Sequence, residues 1–142
     1  MNVHELLRTH PVARGHVSDP LVRCIDLCFA CAQSCTTCAD ACLAEPSVAE
    51  LRKCIRLNLD CAEICATTGS VASRCTSAEE SALVQLLDVC ARACEICAAE
   101  CERHAKHHEH CRICADVCRR CQEACRTAMQ DLGGASGVVQ TN

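Results

Sequence analysis

Read along the chain, the apolar positions recur in steps of four and three, and at most of them the side chain is a thiol. From Cys24 the series continues through Cys28, Cys31, Cys35, Cys38 and Cys42, the spacing of heptad a and d positions, which brings all six onto one helix face. At about 1.5 Å per residue this stripe is about 27 Å long, the height of a small domain. Ser18-Asp19-Pro20 marks the helix start, with a capping side chain and a proline in the first turn, and Glu45-Pro46 marks its end.

Three further segments repeat the pattern. Ser47-Val48-Ala49-Glu50 has the spacing of a capping box and predicts the start of a second helix, carrying Cys54, Cys61, Cys65 and Cys75 with Asn58, Thr68 and Ala72 on the stripe between them. Thr67-Thr68-Gly69-Ser70 is weak helix, yet Cys75 returns in phase and predicts continuity. Ser77-Ala78-Glu79-Glu80 repeats the capping box and opens a third helix, whose stripe runs Leu83, Leu87, Cys90, Cys94, Cys97, Cys101, His104 and His108. That face changes from leucine to cysteine to histidine along its length.

From Cys111 the series Cys114, Cys118, Cys121 and Cys125 is out of register with a straight continuation. The phase break predicts a turn between about His104 and His110 and a fourth helix to about Leu132, a single long helix being the competing reading. Gly133-Gly134 predicts its end, with a disordered tail after it. The fold class expected is therefore all-α, an antiparallel up-down four-helix bundle with a cysteine-lined core over residues 18–132, an N-terminal arm over 1–17 and a tail over 133–142. Up-down stacking collects Cys42, Cys54, Asn58, Cys101, His104 and Cys111 at one polar end. Leu21, Ala72, Leu83, Leu87 and Met129 or Leu132 form an apolar plug at the other.

Composition sharpens this. Nineteen of 142 residues are cysteine and only Phe29 is aromatic, so the thiols have to be the interior. An odd count, the chain length and the poor geometry of same-helix neighbours argue against a disulfide scaffold. No secretion signal opens the sequence and no apolar run has the length of a membrane span, which sets the expectation of a cytoplasmic protein with reduced thiols. A net charge of −4, with arginines scattered among acids, gives no sign of nucleic acid or membrane as partner. His4, His10 and His16 share no spacing and read as solvated surface histidines.

Five C-x-x-C units lie on helix-forming sequence without a βαβ pattern, which excludes a thioredoxin-like site, and without the Gly- and Pro-bearing loops of iron–sulfur proteins. A zinc- or cadmium-buffering, metallothionein-like protein is the alternative. Each four-thiolate Zn²⁺ site would bury two excess negative charges. Cu(I) replaces one thiol proton per ion, prefers soft bridging thiolates and leaves the core neutral. Capacity would then be on the order of one ion per cysteine, which means storage or detoxification, not catalysis. No cysteine is singled out for activation and a filled core leaves no substrate cleft, so no enzyme is expected.

The runs Cys28-Phe-Ala-Cys31-Ala-Gln-Ser-Cys35 and Cys111-Arg-Ile-Cys114-Ala-Asp-Val-Cys118, repeated over four helices with a His-bearing turn, resemble the bacterial copper storage proteins, in their cytosolic branch. The likeness covers about residues 18 to 132. It implies a homotetramer of four-helix bundles filled with Cu(I), with the polar end as the way in and a copper chaperone or copper-requiring acceptor as partner. It carries over as metal ligands all nineteen cysteines, together with His104, His108 and Asn58; His110 stands beside the mouth but off the stripe.

Overall fold

The computed structural model describes the backbone of residues 2–13, 15–74 and 80–140. Their regular structure is helical throughout: α1 (Val3–Arg8), α2 (Asp19–Ala44), α3 (Arg52–Ala72), α4 (Glu80–His104) and α5 (Glu109–Gln140), with a 3-10 turn at Val48–Leu51. α2 packs against α3 and α5, and α4 packs against the same two. Four long helices thus stand at the corners of a square, consecutive ones antiparallel, as the stripes require. Ser18 fastens one corner. Its Oγ accepts the Leu21 N–H at 3.3 Å and donates to Asp131 Oδ2 at 2.7 Å, so the α2 cap also ties down α5.

The turn between α4 and α5 covers residues 105–108, where the phase break placed it. The competing single helix is excluded. The plug is present as well: Leu21, Ala72, Leu83 and Leu87 are buried, with Met129 and Leu132 packed against them. Thr67 to Ser70 stays helical, because packing against α2 outweighs its weak propensity, but α3 ends at Ala72 and turns at residues 73–74, short of the continuity to Cys75 that the phase predicted. Gly69 lies so close to α2 that an added Cβ would meet the Phe29 ring at 3.0 Å and Cys28 Cβ at 3.3 Å.

Other expectations fail for identifiable reasons. Ser47 makes no cap, because its φ of −90° and ψ of 26° are not the extended backbone an N-cap needs. The chain tightens instead into the 3-10 turn that buries Leu51, and α3 begins at Arg52. Gly133-Gly134 does not end α5, which runs on to Gln140, so the tail expected to be disordered is helical that far. Glycine weakens a helix by about 1 kcal/mol but keeps its N–H. It ends one by turning left-handed, and among the described residues the positive-φ glycine is Gly15.

Within the N-terminal arm, α1 is followed by turns. Bonds from the N–H groups of His10, Ala13 and His16 to the carbonyls three residues back fold it into turns, while Val3 and Leu7 are buried. An 18-residue stretch of α2 has a mean hydropathy of 1.3, so by length and composition the helix is apolar enough to cross a membrane, contrary to the sequence reading. Its apolar stripe is buried in the bundle core. The capping residues Ser77 to Glu79, and Cys75, lie outside the described residues.

Candidate metal centre

Heptad stepping alone would place the thiols on four inner faces; the packing decides whether they meet. All eighteen described cysteines are free and buried. Helices at opposite corners do not touch through their backbones, yet thiols join across the axis: Cys28 to Cys90 at 3.9 Å, Cys31 to Cys94 at 4.0 Å and Cys35 to Cys97 at 4.0 Å. Neighbouring helices add Cys24 to Cys125 at 3.5 Å, Cys65 to Cys90 at 3.7 Å, Cys31 to Cys118 at 3.6 Å and Cys54 to Cys101 at 3.8 Å. Sulfur contacts therefore run from Cys24 and Cys125 beside the plug to Cys97 and Cys114, where Asn58 joins the lining to the Cys54–Cys101 pair at the polar end.

Asn58 stands within this lining and is fully buried. Its Oδ1 accepts from Cys114 at 3.1 Å and Cys97 at 3.2 Å, and its Nδ2 donates to Cys54 at 3.4 Å. The other polar position on the α3 stripe, Thr68, turns its hydroxyl back to the Ile64 carbonyl at 2.7 Å and offers the core nothing.

Several groups of four donors lie with every ligand atom within 4.8 Å of the others. They are not separate sites. Cys31 and Cys121 meet Cys65 and Cys94; Cys31 also joins Cys35, Cys61 and Cys118; Cys35 and Cys118 join Cys97 and Cys114. Shared members must bridge if neighbouring sites fill together, which is how soft monovalent ions use thiolates.

Electrostatics oppose free charge here. Among the described residues the buried polar or charged side chains are Asn58, Thr68 and Glu100, with no buried lysine or arginine. Desolvation, assisted by the nearby Cys54, pushes the Cys42 thiol up to about 11. At Cys61 hydrogen bonds from Cys118, Cys31 and Cys35 act the other way and favour the thiolate.

The polar end gathers the three histidines differently from the stripe reading. His104 Nε2 lies 3.0 Å from Glu100 Oε2, and His108 Nδ1 lies 3.4 Å from Glu45 Oε1. His104 is near enough to Cys54 to add to the hydrogen bonds from Cys101, Cys111 and Cys38 that lower that thiol. His110 is the imidazole that reaches sulfur: its Nδ1 is 3.4 Å from Cys38 and 3.6 Å from Cys111, and its Nε2 is 3.2 Å from Glu45 Oε1. With Cys38, Cys42 and Cys111 it forms a mixed donor group. Glu100, 5% exposed, also takes Arg103 at 3.2 Å and Lys53 at 3.9 Å.

The stripe reading did not single out His110, Glu45 and Glu100. His110 is the second residue of α5, one before Cys111 where the thiol stripe begins, so it stands beside the four-three register and not on it. The position of a histidine next to the first thiol of α5 was the available signal.

The sequence profile of the copper storage protein family matches residues 17–130. Among solved structures, the copper storage protein Ccsp from Streptomyces lividans loaded with 10 copper equivalents is similar at 49% identity and TM-score 0.85, over 89% of this chain and 97% of that one. A five-copper form of the same organism's cytosolic copper storage protein has 50% identity and TM-score 0.77, over 78% and 92%. Cu(I)-bound BsCsp3 has 38% identity and TM-score 0.65, over 73% and 92%. Comparison with curated proteins gives no match.

Proposed function

The chain belongs to the copper storage protein family, and from that premise we propose how its own residues do the work: Cu(I) fills the sulfur lining from the polar end to the plug, for storage or detoxification in the cytoplasm. The observation that carries this is that eighteen buried free thiols line the core from all four helices. As each ion binds, a thiol proton leaves, bridging thiolates take the metal, and the neutral wall of alanine and leucine faces a neutral filling. Zinc is not favoured, because closed four-thiolate sites would compete for Cys31, Cys35, Cys118 and Cys121 and bury uncompensated charge.

The nineteen cysteines are the ligands in this reading, Cys75 included. His104 and His108 serve at the mouth, His110 joins Cys38 and Cys111 as an inner donor, and Asn58 offers its amide oxygen within the lining. Exposed Leu43, Leu59, Val89 and Ile96 support burial against further copies in a homotetramer. A copper chaperone or copper-requiring acceptor would exchange ions with the store. A core closed to substrates supports a binder and not an enzyme, and nothing in the reading calls on nucleic acid or membrane.

Titration of the reduced metal-free protein with Cu(I), against a competing chelator, tests the reading. Saturation is expected on the order of one ion per cysteine. Saturation at one or two ions overturns it.

A further inference from the structure

Thiols also approach solvent along the side wall of the bundle. Cys42, Cys54, Cys101 and Cys111 are 0% exposed beneath the histidines and glutamates, whereas Cys38 is 2% and Cys61, Cys97 and Cys114 are each 1% exposed; of these, Cys38 and Cys114 lie together beside His110. Those two thiols share a cavity of about 270 Å³ in the side wall between α2 and α5. From this we propose a second opening to the sulfur core, a lateral port at which Cu(I) carried by a small thiol is handed to Cys38 and Cys114. The port rests on the reading that the core takes Cu(I).

The rim fits such a carrier. Gln33, Ser34 and Thr37 on α2 are neutral hydrogen-bonding groups, and Ile113 on α5, 48% exposed, supplies an apolar edge. No lysine or arginine lines the cavity, so it does not recruit by charge; amide and apolar contacts are what it offers. Its volume is just below the roughly 300–1,000 Å³ of ordinary ligand pockets, so a small molecule fits and a folded domain does not.

His110 also lines the cavity, 3.4 Å from Cys38, so an ion arriving there meets nitrogen and sulfur together. Cys114 leads inward, with Cys35 at 3.8 Å and then Cys118 at 3.6 Å from Cys35. The port therefore opens beside the His110 end of the store and leads through Cys114 to its middle. The step is ligand exchange without redox: two carrier thiolates leave a Cu(I) ion, Cys38 Sγ and Cys114 Sγ replace them, and each protein thiol proton passes to a departing thiolate.

Two measurements decide it. Metal-free reduced protein is treated with N-ethylmaleimide far below one equivalent and mapped by mass spectrometry. Label should appear first at Cys38 and Cys114 and should fall in Ile113→Trp, which fills the cavity. Loading is then timed by stopped flow with Cu(I)–glutathione as donor. Ile113→Trp, and independently Gln33→Trp on the opposite rim, should load at least about fivefold more slowly at unchanged final capacity, as expected for a gated path. Label appearing first at Cys42, Cys54, Cys101 or Cys111, or wild-type loading rates in a correctly helical variant, overturns the port. If capacity itself proves to be one or two ions, the storage reading fails while the maleimide map still decides whether the opening exists.

Discussion

At the scale of single residues, burial and not sulfur chemistry sets the protonation of Cys42. Its pKa of about 11 in the fold, against an ordinary 9.0, means that the folded chain holds this proton more tightly than the unfolded chain. Stability from the neutral thiol is then fully present below about pH 9 and lost as pH rises toward 11. Urea unfolding of the reduced metal-free protein should show stability falling across that window, with a shallower fall in Cys42→Ala. An equal fall in both would place the effect on other thiols. The stripe position of Cys42 was readable from the sequence, but its desolvation depended on neighbours no period identifies. The same divide separates His104 from His110. Counting in fours and threes put the first on the α4 face, whereas the second reaches within 3.4 Å of Cys38 from a position in α5 just before its stripe begins.

At the scale of elements, the long helices and their inner faces were legible because a four-three repeat over five or six turns has a single solution. Their ends were less so. Ser18 capped as its sequence suggested, while Ser47, with an equally good pattern, was overruled by the 3-10 turn that buries Leu51. Gly69 shows packing deciding in the other direction, since its value lies in the approach of α3 to the Phe29 ring and Cys28. Gly69→Val should therefore push α3 from α2 and lower the stability of the metal-free protein by about 1–3 kcal/mol, the usual range for overpacking. Chemical denaturation measures this directly. A gain in stability, as expected for replacing glycine in an uncrowded helix, would show that the contact does not constrain the bundle.

At the scale of the whole molecule, the decisive quantity is charge. The chain carries 14 lysines and arginines against 18 aspartates and glutamates, and the charged groups are almost entirely outside the core. A bundle of this kind can take in many cations only if it expels as many. Most of its buried thiols are held neutral below pH 9, chiefly by hydrogen bonds from neighbouring thiols and then by burial, so each arriving Cu(I) should displace close to one proton, and the net charge of −4 should persist from the empty to the filled protein. Four-thiolate zinc sites behave otherwise, each adding about two negative charges to the interior. A pH-stat titration counts protons released per ion, and native isoelectric focusing compares the two forms. One proton per copper with an unmoved focusing position is the expected result. A marked acidic shift on loading would mean excess thiolate in the core, and a neutral filling could then no longer explain why the tube is lined by cysteine and walled by alanine and leucine.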